Sequence, residues 1–133
     1  MESSEHAAIG AVVSAVGVLS LRDCSLETRL ALFGYGLLVS VFIDLDHFAW
    51  ARLQEGDWSH LTRAVTNPKW AFVEQDDVFE GVEIDFQRLL SHVVIGGVTT
   101  LAFWLFSPAI AVYNAVVVYA HVLADLLRES RLA

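Results

Sequence analysis

The chain has 133 residues, room for one domain and hardly for two, and 56% of them are hydrophobic, with a mean hydropathy of +0.54. That is well above a soluble domain and points to an integral membrane protein. The formal charge of −8, with sixteen acidic residues and a single lysine, Lys69, excludes nucleic-acid binding, which needs clustered Lys and Arg; the lone Cys24 excludes an intrachain disulfide and a cysteine-based metal knuckle.

The N-terminal "MESSEH" is acidic and lacks the basic start of a secretory signal, so the first apolar run is predicted to stay in the mature protein. That run, His6 to Leu21, is short for a membrane span, which needs roughly 20 residues. The second, Leu30 to Trp50, carries Asp44, Asp46 and His47 near its end. A polar segment, 51–88, follows, in which Trp58, His60, Trp70, Phe72, Phe79 and Phe86 stand among acids and a few arginines. Its flanks are predicted to be short amphipathic helices at the membrane surface, "TNP" at 66–68 reads as a turn, and His60 reads as an interfacial hydrogen-bonding residue. Leu89 to Phe106 and Ala109 to Leu127 are the third and fourth runs, divided by Ser107 and Pro108, where the proline removes a backbone donor and favours a tight helical hairpin. Gly10, Gly17, Gly34, Gly36, Gly96 and Gly97 lie inside apolar runs, as in membrane helices whose backbones approach closely. The predicted fold is all-α: a single four-helix membrane bundle over 1–133 with a polar, partly helical segment between spans two and three.

In an up-down-up-down bundle the polar residues sort to one end. His6 opens the first span and Asp44, Asp46 and His47 close the second, while His92 opens the third and His121 and Asp125 close the fourth. The other end has no histidine. Asp44 and His47 share a helix face at i, i+3, and His121 and Asp125 do so at i, i+4. Asp46 points away from Asp44 on an ideal helix, so either the helix loosens there or one aspartate stands behind the other. Four histidines and three carboxylates exceed what one zinc needs, which leaves room for a second ion or for carboxylates that orient histidine rings. A divalent metal is therefore expected, zinc first and manganese or magnesium as alternatives, as one or two ions. Ionisable groups inside spans are candidates for function by default. Arg88, one turn before His92, is a candidate clamp for substrate charge, and a snorkelling interfacial arginine is the alternative.

"DLDH" at 44–47, "RLLSH" at 88–92 and "HVLAD" at 121–125, with His6 and Gly10 in the first run, resemble the membrane-bound metal-dependent hydrolase family, the LexA-regulated inner-membrane type among them. The family pattern reads histidine and glycine first, then proline, aspartate, any residue, aspartate, histidine; here Ile43 stands for the proline. Its third motif, histidine-arginine, two residues, threonine-histidine-serine, is kept at Arg88 and His92, with Gln87, Ser91 and Val93 at the other places. The resemblance implies a helical membrane fold and a metal-dependent hydrolase. The reading that follows has His6, Asp46, His47, His92, His121 and Asp125 as metal ligands, with Asp44, Asp46 and Arg88 in catalysis. A phosphoester of a lipid or lipid-linked molecule is the expected substrate and the bilayer the expected partner. The alternative is a non-catalytic membrane protein whose cluster stores or senses a metal or only pins the helices.

Orientation follows Lys and Arg near span ends. Arg52, Arg63, Lys69, Arg88, Arg128 and Arg131 lie on the site-bearing side and only Arg22 and Arg29 on the other, so the site is expected to face the cytoplasm of a multi-pass cell-membrane protein.

Overall fold

Ser25 and Ser107 each do the same local work. Each ends a short connection, takes an extended backbone, and offers its hydroxyl oxygen to a backbone N–H three residues on, Thr28 after Ser25 and Ile110 after Ser107. These caps start the second and last long helices, the last with Pro108 at its first position, where a missing N–H costs nothing. The computed structural model describes residues 3–67, 69 and 85–130, and all regular elements among them are helical. They are α1 (Ser3–Ser20), α2 (Leu26–Phe42), a 3-10 turn (Ile43–Leu45), α3 (Asp46–Glu55), α4 (Ser59–Thr66), α5 (Asp85–Trp104) and α6 (Pro108–Glu129).

Four stretches are long and apolar enough to cross a membrane: α1, the continuous helical rod Leu26–Glu55, Phe86–Trp104 within α5, and α6. The outward faces agree. Val12, Val16, Leu19, Leu30, Leu38, Val98 and Leu101 are each more than half exposed, an apolar surface suited to lipid and not to water. The interior is the more polar side, with Ser14, Ser40, His92 and Asn114 buried. Asn114 ties three helices together: Tyr35 Oη on α2 donates to its Oδ1 at 2.5 Å, and its Nδ2 donates to Thr99 and Thr100 on α5 at 3.0 and 2.9 Å. Such bonds hold helices together where hydrophobic burial supplies no driving force between them.

Helix α1 packs on α2 and α6, and α6 also packs on α5. Small residues set the α1–α2 distance. A Cβ at Gly10 would collide with Ser40, and one at Gly36 with the Ser14 and Tyr113 hydroxyls, whereas one at Gly34 would meet open space. We therefore expect Gly36→Val to destabilise the bundle by about 1–3 kcal/mol through overpacking. Gly34→Val should be close to neutral. Thermal unfolding of the two variants in detergent checks this, and equal melting temperatures would refute it.

Several boundaries move from their expected places. Residues 51–55 extend the second rod and 85–88 begin α5, so the long helices run further into the segment 51–88 than the expected spans do. The rod stops at Gly56, whose left-handed φ of 85° lets its N–H cap the helix on the Arg52 carbonyl. Helix α4 is a short helix as expected; Asn67 of "TNP" is its C-cap, and Pro68 lies outside the described residues, as do Trp70, Phe72 and Phe79.

Candidate metal centre

The close α1–α2 approach at Gly10 and Ser40 carries the chain one turn further to His6 on one helix and Asp44 on the other, and their side chains meet at 3.8 Å. Ser40 Oγ also bonds back to the Gly36 carbonyl at 2.8 Å, a bond that bends helices. Three residues later the backbone tightens into the 3-10 turn. The sequence alone offered a loosened helix or one aspartate standing behind the other. The helix overwinds rather than loosens: at three residues per turn, two residues sweep about 240° and not the about 200° of an α-helix. Asp44 and Asp46 thereby both reach the cluster, although Asp46 lies outside both candidate metal groups.

Among the described residues, two groups of His and Asp could hold a metal ion: His6, Asp44, His121 and Asp125; and Asp44, His47 and His92. Asp44 belongs to both. The imidazoles pair the same way, with His6 stacked on His121 at 4.0 Å between centroids and His47 on His92 at 5.2 Å. The first pair sits on α1 and α6, the second on α3 and α5. In the first group His6 Nε2 lies 3.1 Å from Asp125 Oδ1, and His121 Nε2 lies 3.4 Å from Asp125 Oδ2. Beside the second, Asp46 Oδ1 is hydrogen-bonded to His92 Nε2 at 3.2 Å and lies 3.5 Å from His47 Nε2.

Asp44 Oδ1 is the centre of the arrangement. The Nε2 atoms of His47, His92 and His121 surround it at 3.4, 3.5 and 3.3 Å. The atom is buried, yet among the described residues no hydrogen bond of normal geometry reaches it. These spacings fit a metal better than a hydrogen-bond network. Ligand atoms at about 2.0–2.1 Å from one tetrahedral ion lie about 3.3 Å from each other.

The His121 ring makes the same point by its tautomer. Its Nδ1 donates to the Ser40 carbonyl at 3.0 Å, and since a carbonyl only accepts, the proton sits on Nδ1. A neutral ring then turns the Nε2 lone pair toward two carboxylate oxygens, Asp44 Oδ1 and Asp125 Oδ2. Lone pair against anion is repulsive unless a cation lies between them, as a metal or as a second ring proton. The backbone bond to Ser40 is the kind of outer contact that would fix His121 for coordination.

His6, His92, His121 and Asp125 are no more than 1% exposed. Asp44 and Asp46, at 19% and 13%, are the most exposed members of the cluster and form its rim. Ser91 Oγ donates to Asp46 Oδ2 and holds that carboxylate in place. Arg88, one turn earlier on α5, pairs with Glu129 of α6 and lies within electrostatic reach of His47. His60 is on α4, outside both groups. Two contributors escaped sequence reasoning. The Ser40 carbonyl could not be found, since a backbone oxygen has no residue signature. Ser91 could have been, as a hydroxyl one residue before a candidate ligand. No family model matches the chain, and neither a curated protein nor a solved structure does.

Proposed function

We propose that this chain is a metal-dependent hydrolase at the membrane surface, acting on a phosphoester of a lipid or lipid-linked molecule, and that it belongs to the family its motifs resemble. The observation that carries the metal is Asp44 Oδ1 among three imidazole nitrogens with no hydrogen bond of its own. Two zinc ions are the reading that uses both groups, with Asp44 serving each. His6, His121 and Asp125 would hold the enclosed ion, and His47 and His92 the one nearer the rim. A divalent metal held by these residues would lower the pKa of a bound water and polarise a phosphoryl oxygen.

The chain's own groups do the rest. Asp46, held by Ser91 through Oδ2 and in contact with His92 Nε2 through Oδ1, would take a proton from the attacking water. His121, fixed by the Ser40 carbonyl, keeps its Nε2 aimed inward. Arg88, paired with Glu129, would add positive charge near His47 for a phosphoester. The near-complete burial of His6, His121 and Asp125 favours a second reading, a non-catalytic membrane protein whose cluster stores or senses a metal or only pins the helices, since closed sites suit structural roles.

Metal analysis of the purified protein, with hydrolysis of bis(p-nitrophenyl) phosphate before and after chelation, separates the two. Activity lost on chelation and restored by zinc or manganese supports the hydrolase. Bound metal without turnover of phosphodiesters or phospholipids leaves the storage reading. Absence of metal sinks the hydrolase and the storage reading and leaves a cluster that only pins the helices.

The proposal includes four spans with both ends of the chain and the site on the cytoplasmic side. Cys24, partly exposed in the short connection at the opposite end, reports on this. In intact cells an impermeant maleimide is expected to label Cys24. Glu55→Cys in a Cys24→Ser background, at the exposed end of α3, should label only after lysis. The reverse pattern would turn the protein over.

A further inference from the structure

Helices α2 and α5 do not pack along one another; among the described residues, α6 lies behind both. The gap between them is a crevice of about 360 Å³ lined by Tyr35, Leu38, Val39, Phe42 and Ile43 on one wall, Ile95 and Thr99 on the other, and Val118 of α6 as its floor. That volume is at the lower end of the range for small-molecule sites, roughly 300–1,000 Å³. Along three elements it also neighbours the metal centre. Ile43 adjoins Asp44, Ile95 is one turn from His92, and Val118 is one turn from His121.

The crevice has a closed end and an apolar wall. Away from the cluster, Tyr35 packs edge-on against Phe103 of α5 and bonds to Asn114, which shuts the gap. From Ile43 to Tyr35 the helix rises about 12 Å. The polar groups on the lining already have partners: Tyr35 Oη donates to Asn114, and Thr99 Oγ1 donates to the Ile95 carbonyl and accepts from Asn114. Nothing there asks a ligand for a hydrogen bond. Leu38 and Phe42 are 56% and 44% exposed on the side that faces lipid, so the crevice is open laterally.

Resting on the hydrolase reading, we propose that this crevice seats one hydrocarbon chain of the substrate, which enters sideways from the bilayer and places its phosphoester at the Asp44–Asp46 rim. The substrate class is then a phosphoester with a hydrocarbon chain free to leave the bilayer, and a water-soluble phosphodiester uses the same rim without this contact. The second crevice, about 710 Å³ between α1 and α6, lies toward the opposite end, around Gly17, Trp104 and Pro108, and provides an internal control.

The test uses the metal-loaded protein in lipid nanodiscs with decyl phosphate bearing a diazirine at its chain end, read by mass spectrometry of the cross-linked residues. Labelling is expected on the α2 and α5 walls between Tyr35 and Ile43 and between Ile95 and Thr99. Leu38→Trp and Ile95→Trp, which fill the gap from opposite walls, should each lower that labelling by about tenfold. Val98→Trp, exposed on α5 and outside the crevice, should not. Metal content of each variant reports intact folding. Labelling spread equally over the α1–α6 crevice at Val12, Val16 and Val112, or indifferent to both filling variants, overturns the proposal. Turnover of bis(p-nitrophenyl) phosphate is measured in parallel. Turnover without crevice labelling defeats the crevice alone, and crevice labelling without turnover of any phosphoester defeats the hydrolase reading alone.

Discussion

Asp44→Ala is expected to strip the protein of metal, from about two ions per chain to none, whereas His92→Ala and His121→Ala should each retain about one. The difference comes from connectivity. His92 serves the group at the rim and His121 the enclosed one, but Asp44 stands in both. Removing it leaves His47 and His92 without the carboxylate at 3.4 and 3.5 Å, and removes an oxygen 3.3 Å from His121. His60→Ala, outside both groups, should leave the content unchanged. Atomic emission on the four purified variants decides the matter. Equal loss in His92→Ala and Asp44→Ala would mean one shared ion, and equal content in all four would remove the metal assignment.

Much of this was open to sequence reasoning because the membrane makes ionisable groups conspicuous. Asp44, His47, His92, His121 and Asp125 interrupt apolar runs, where charge is costly and rarely accidental. Their order along a chain that alternates direction brings them to one end, and Pro108 marks the tight return that keeps the last two helices antiparallel. Helix existence was legible for the same reason: an apolar run of sufficient length satisfies its backbone only as a helix.

What stayed hidden depends on contacts that no residue pattern announces. An ideal helix sends Asp44 and Asp46 to different faces, and only the 3-10 turn after Ser40 brings both to the histidines. The division into two groups sharing Asp44 requires the distances between helices, which Gly10 and Gly36 set by steric contact and not by any chemical signature. Arg88 was readable as a clamp or as a snorkelling residue, and neither reading named Glu129 as its partner. The crevice between α2 and α5 is an absence of packing, which is invisible from either helix alone.

Asp46→Asn is expected to lower the turnover of a phosphodiester by about 10²–10⁴-fold, the usual contribution of a positioned general base. Metal content should remain near that of the unaltered protein. Asp46 stands apart from the two metal groups, although its Oδ1 lies 3.2 Å from His92 Nε2 and 3.5 Å from His47 Nε2. Its other oxygen is occupied by the Ser91 hydroxyl, and it remains partly open at the rim. The amide keeps the shape and can still take the Ser91 hydrogen bond, but it cannot accept a proton. A structural carboxylate would respond differently, with metal and stability falling together. The two roles therefore separate on paired measurements: turnover against metal content, and the acid limb of the pH–rate profile. Loss of that limb in Asp46→Asn with two ions still bound identifies the base. Loss of metal in proportion to activity would instead make Asp46 a ligand of the rim group, and unchanged turnover would move the base to another residue.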